Sequence, residues 1–200
     1  MHHRLFLLLW LAASPGLSSA AGTLAGTNIT NQVEVNYEIG AEALTGLSNP
    51  VTITVAEVID LNVLIQTPER LVSAGVSTQP LYFTVTNIGN GTETLELTPL
   101  MALTGDDFDP LPGATAVVFD TDADGILGSA DVNYVPGTND PELGPEASLG
   151  AFLIADIPAG LVDGLLGFAE LRASSLTATG APGEIFDGLG DGGVDVVLGP

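Results

Sequence analysis

The sequence predicts an all-β sandwich. Apolar and polar residues alternate with a period of two in run after run, which is the pattern of strands with one buried face. The 25 glycines and 13 prolines punctuate the chain between those runs. No stretch sustains a 3.6-residue apolar period with helix caps.

The elements follow in chain order. "MHHR", "LFLLLWLAA" and "SPGLSSAA" form a basic start, a short apolar run and a small-residue cleavage region, so residues 1–21 read as an export signal cut after Ala20 or Ala21. No later run is apolar enough for a membrane span, because Asp156, Pro158 and Asp163 interrupt the best one. Residues 22–57 read as an N-terminal hairpin-like segment. In "NQVEVNYEI", Val33, Val35, Tyr37 and Ile39 share the face expected to be buried, and "PVTITVAEV" repeats the pattern with Val51, Ile53 and Val55. A boundary is expected near 58–66, and residues 58–180 read as the main sandwich. There, "LYFTVTNIGNGTETLELTPL" predicts two strands joined by a tight Asn-Gly hairpin. Leu81, Phe83 and Val85 would face inward on the first strand, Leu95 and Leu97 on the second. "TAVVFD" (115–120), "ASLGAFLIADIP" (147–158) and "LLGFAELRASSL" (165–176) are further strands, and residues 181–200 form a Gly- and Asp-rich tail.

Composition excludes several functions. The chain carries 25 acidic residues, three basic ones and a formal charge of −22. A surface of that sign repels nucleic acid and attracts cations. Removal of the leader takes away both histidines (His2, His3), Trp10 and Arg4, leaving only Arg70 and Arg172 as cations. Without His, Cys or Lys, catalytic triads, Schiff-base lysines and ordinary zinc sites are ruled out. Carboxylate pairs such as Asp106 with Asp107, or Glu93 with Glu96, could still serve a glycosidase. Sugar sites usually need aromatic platforms, however, and only Tyr37, Tyr82 and Tyr134 remain to supplement phenylalanine. These acids therefore read as a solvated surface.

"AGTNITNQVEVNYEIG…SNPVTITVAEV" resembles the opening of bacterial surface proteins built from conserved-repeat, Ig-like domains. "LYFTVTNIGNGTETLELT" is similar to the core hairpin of those domains, and "LGPEASLGAFLIADIPAG" to a later strand. That strand commonly follows a Leu-x-Pro-Gly-Glu turn; here Glu146 directly follows Pro145 and the glycine is missing. The resemblance covers most of residues 22–180. It implies an Ig-like β-sandwich serving as an extracellular spacer, stalk or adhesion module, with other surface proteins or glycans as partners.

"DTDADGILGSAD" (120–131) has the spacing of a calcium loop. Such loops place oxygen ligands at positions 1, 3, 5, 7, 9 and 12, with glycine at 6 for the sharp turn. Here these are Asp120, Asp122, Asp124, the carbonyl of Ile126, a water or backbone group near Gly128, and Asp131, with Gly125 at the turn. Leu127 at position 8 would pin the loop to its neighbour. The loop resembles those of EF-hands and dockerins. Its flanks differ, because "ATAVVF" reads as a strand and Pro136 blocks a following helix, so the loop is expected between sandwich strands. Asp140, or Asp106, Asp107 and Asp109, are candidates for additional ligands. The resulting expectation is a secreted, cell-surface or periplasmic non-catalytic module that binds one Ca2+. The alternative is a carbohydrate-binding or carboxylate-based glycan-hydrolysing domain.

Overall fold

The computed structural model describes residues 22–39, 41–67 and 69–200. The export signal assigned to residues 1–21 lies outside them. The described chain is all-β, with one short 3-10 turn at Asp191–Gly193.

The N-terminal part is a ribbon. Strand β1 (Asn28–Asn31) pairs antiparallel with β4 (Val51–Thr54), and β2 (Glu34–Ile39) pairs with β3 (Glu42–Leu47). The registers of the two halves differ by one residue, Asn31 opposing Val51 but Glu34 opposing Leu47, so a bulge joins them. Alternation places Ile29, Val35, Tyr37, Leu44 and Ile53 on one face. The other carries hydrogen bonds between the Thr30 and Thr52 hydroxyls and from Thr54 to Asn28. The apolar face is not buried as expected. Ile29, Val33, Val35, Ile39, Val51 and Ile53 are all about half to two-thirds exposed. The alternation is real, but among the described residues no second layer packs against the ribbon.

Two sheets enclose the main core. The larger has the order β10 (Val132–Asn133), β9 (Leu111–Asp120), β12 (Ser148–Asp156), β7 (Gln79–Asn87), β6 (Leu61–Ile65). The smaller has the order β11 (Glu142–Leu143), β8 (Glu93–Leu100), β13 (Glu170–Ser175). Phe83 and Val85 from β7, Val117 and Phe119 from β9, and Ala151 and Leu153 from β12 meet Leu95 and Leu97 of β8 and Leu171 of β13. Val85, Leu95 and Leu153 are wholly buried, each worth roughly 1.5–3 kcal/mol. The inward faces read from the sequence are thus the ones that form this core, with Leu81 packed at its edge. Residues 58–66, expected as a boundary, are largely strand: they complete β5 (Glu57–Ile59) and form β6.

One expected contact is absent. β7 and β8 do not form a hairpin: β7 pairs with β12 and β6, while β8 pairs with β11 and β13. The "NIGNGT" turn instead carries the chain from one sheet to the other. Asn87, fully buried, braces the crossing by donating to the carbonyls of Gly91 and Leu143 at 2.8 Å each and accepting from the Gly89 N–H at 2.9 Å. The glycines permit close approach: a Cβ at Gly89 would lie 2.1 Å from the Val58 carbonyl oxygen. At the turn before β12, Glu146 has φ = +63°, the left-handed conformation that glycine adopts without strain. It sits where the resembled turn has its glycine.

The tail is ordered by pairing. β15 (Val196–Leu198) runs parallel to β5 and antiparallel to β14 (Ile185–Phe186). Val196 and Leu198 pack on Ile59 in a second small core.

Candidate metal centre

The acidic loop is the connection of the β9–β10 hairpin. Val132 opposes Phe119, so strands flank it on both sides. The turn is tight, with Ala123 at φ = +57° and Gly125 at φ = +71°. Leu127 folds back onto the outer face of the five-stranded sheet, against Val118, Phe152 and Ile154. This apolar contact fixes the loop over β12.

Asp120 is the anchor. It is buried at the end of β9. Its Oδ2 accepts the Tyr82 hydroxyl at 2.7 Å and the Gly125 N–H at 3.1 Å, and its Oδ1 accepts the Asp124 N–H at 3.2 Å. Tyr82 stands on β7, two strands away, and its ring rests against Phe152. It reaches Asp120 across Gly150 of β12, where a Cβ would lie 2.5 Å from the Tyr82 oxygen. Burial opposes ionisation of Asp120, but the bonds from Tyr82 and from the backbone of Gly125, Asp124 and Ala123 outweigh it and hold its pKa below the ordinary value. The same contact, with burial adding to it, pushes Tyr82 up to about 12.

Asp120, Asp122 and Asp124 each bring one carboxylate oxygen within 4.8 Å of the others. Oxygens sharing one calcium at about 2.3–2.6 Å can be at most about 5 Å apart, so this trio fits. Desolvation and the charges of Asp124 and Asp131 push Asp122 above its ordinary value.

Asp131 is not part of this trio. Asp131 accepts the N–H groups of Thr121 at 3.2 Å and Gly128 at 2.7 Å, closing the loop end to end. Ile126 donates its N–H to Asp124 at 2.7 Å. Aspartate is one methylene shorter than the glutamate common at position 12, and here Asp131 is occupied as a clamp. Three of the four extra candidates have other partners: Asp140 accepts from Tyr134 at 2.8 Å, and Asp106 and Asp107 accept the N–H groups of Phe168 and Leu166 at 2.9 Å each.

Sequence reading missed Tyr82. Its signal was Gly150, a glycine inside a strand run, which marks close approach by another group. The acid pairs nominated for catalysis do not converge on a groove. Glu93 faces inward and Glu96 outward on β8, while Asp106 and Asp107 tie the 105–109 turn to the 163–168 loop. A cavity of about 1110 Å³ does open between β6 and β13, with mixed walls: Val63, Ile65 and Phe83 line it together with Glu69, Arg70 and Asp163. No family model, curated protein or solved structure matches the chain.

Proposed function

We propose that this chain is a secreted or cell-surface Ig-like β-sandwich module, structural or adhesive and non-catalytic, that binds one Ca2+ in loop 120–131. The observation that carries the proposal is the trio Asp120, Asp122 and Asp124, gathered within 4.8 Å on a loop braced at both ends. An all-oxygen donor set suits a hard cation. The ion would neutralise the trio and stiffen the hairpin, with an affinity of roughly 10⁻⁴ to 10⁻³ M, as in other extracellular modules. Export rests on the leader sequence. Among the described residues no helix is long and apolar enough to cross a membrane. The adhesive part of the reading draws support from the exposed apolar face of the 28–54 ribbon, which suits contact with another surface protein. The glycan-binding or glycan-hydrolysing alternative has the cavity in its favour, with Glu69, Arg70, Gln79, Asp163 and Glu170 in its walls but no tyrosine or tryptophan platform among its lining residues.

Melting in 10 mM calcium and in chelator tests the proposal. A dissociation constant of about 10⁻⁴ M gives roughly 2.7 kcal/mol of stabilisation, a rise of about 5–10 °C. Magnesium should do much less, and Asp124→Asn should remove the loop's share of the rise. A loop variant and parent with identical calcium responses would refute the loop site.

A further inference from the structure

A second pair of carboxyl groups lies away from the loop, where the N-terminal segment, the sandwich and the tail meet. Glu57 on β5 and Glu93 on β8 are each 1% exposed, and their carboxyl groups meet. Each has one oxygen satisfied by a protein donor: Glu93 Oε2 accepts the Ser175 hydroxyl at 2.6 Å, and Glu57 Oε2 accepts the Asp191 N–H at 2.5 Å. Among the described residues, the remaining oxygens, Glu57 Oε1 and Glu93 Oε1, are buried without an N–H or hydroxyl donor, and the two carboxyls lie within hydrogen-bond reach of each other, so a shared proton or a cation must join them. Among the described residues both arginines are engaged elsewhere, Arg70 with the Pro80 carbonyl and Arg172 with Glu170 at the surface.

Two carboxylates in one dry place repel strongly unless a positive charge joins them. The backbone also closes tightly around Glu57. A Cβ at Gly91 would lie 2.0 Å from its Oε1, and one at Gly190 would lie 2.6 Å from its Oε2. The nearby groups are carboxylates, the Ser175 and Thr177 hydroxyls, and main-chain amides. Oxygen ligands in irregular array suit calcium better than magnesium, which demands a near-ideal octahedron.

We infer that Glu57 and Glu93 form a second cation site, which holds Ca2+ between their two unpartnered oxygens and fastens the C-terminal tail to the sandwich. The site is independent of the 120–131 loop. Because β5, β8 and the Asp191 turn come from distant parts of the chain, an ion here would act as a cross-link between them.

Calcium titration by calorimetry, with melting, separates the two sites. The chain with Asp122→Asn and Asp124→Asn keeps the glutamate pair intact. It should still bind calcium in a ratio near one per chain and melt higher with calcium than in chelator. Adding Glu93→Gln should abolish both effects. In chelator, Glu93→Gln alone should melt above the parent, because the amide relieves the like-charge contact; in 10 mM calcium the order should reverse. If the loop-disabled chain binds no calcium, the inference is overturned whether or not the Glu93 variant folds, and the pair is held by a shared proton. Glu93→Gln melting above the parent in both conditions would overturn it equally. If calcium binding is lost with Glu93→Gln but unaffected by the loop substitutions, the loop proposal fails and this one stands.

Discussion

Tyr82→Phe and Gly150→Ala act on one contact and should not add. Tyr82→Phe removes the hydroxyl that reaches Asp120 Oδ2 at 2.7 Å. Asp120 is buried, so losing a donor to its charge should cost about 1–3 kcal/mol. For a domain of this size, about 2 kcal/mol is a fall of roughly 4–8 °C in Tm. Gly150→Ala places a methyl group 2.5 Å from the same hydroxyl and 3.0 Å from Asp120 Cβ. The tyrosine must move, breaking the bond and straining the stack on Phe152, for a total of about 2–5 kcal/mol. The bond can be lost only once, and phenylalanine lacks the oxygen that the methyl group strikes. The double variant should therefore be more stable than the sum of the singles predicts, by about 1–2 kcal/mol. Urea denaturation in chelator, with all four proteins at one pH, measures this without interference from calcium. Additivity within about 0.5 kcal/mol, or a neutral Tyr82→Phe, would refute the claim that Tyr82 anchors the loop through Gly150.

Two further outcomes follow from the buried polar groups. Asn87→Ala removes three hydrogen bonds at the crossing between the sheets and leaves Gly89 N–H and two carbonyls without their partner; it should cost about 3 kcal/mol or more by urea denaturation, and a loss under 1 kcal/mol would show that the crossing does not depend on it. Burial, with the contact and charge of Glu57 adding to it, pushes Glu93 from 4.5 up to about 7. A carboxyl with a raised native pKa favours folding most below its unfolded value and loses that advantage as pH rises through its folded one. In chelator, stability should therefore fall by about 3 kcal/mol between pH 4.5 and 7.5 beyond the trend shown by Glu93→Gln. Matching pH profiles for the parent and that variant would exclude the shift.

By itself the sequence determined the long alternating strands and which of their sides is apolar, but not the short strands β10, β11 and β14 or the β6 strand at the expected boundary. Phe83, Val85, Leu95 and Leu97 line the core as their alternation predicts, because side-chain alternation is a property of each strand alone. The acidic loop was legible for a similar reason: its residues lie within twelve positions, and spacing alone brings Asp120, Asp122 and Asp124 together. Strand partnership is not a local property. The Asn-Gly pair after β7 signals a hairpin, yet close packing around Gly89 and the buried Asn87 turn the chain toward the other sheet. Likewise, alternation gives the 28–54 ribbon an apolar face but contains nothing that could say whether another layer covers it. The tertiary structure alone brings Tyr82 to Asp120, 38 residues away, and Glu57 to Glu93 across the junction of segment, sandwich and tail. Long-range contacts depend on how sheets stack and where glycines let backbones close in. That is why the loop's trio could be read from the sequence, whereas its tyrosine anchor and the buried glutamate pair could not.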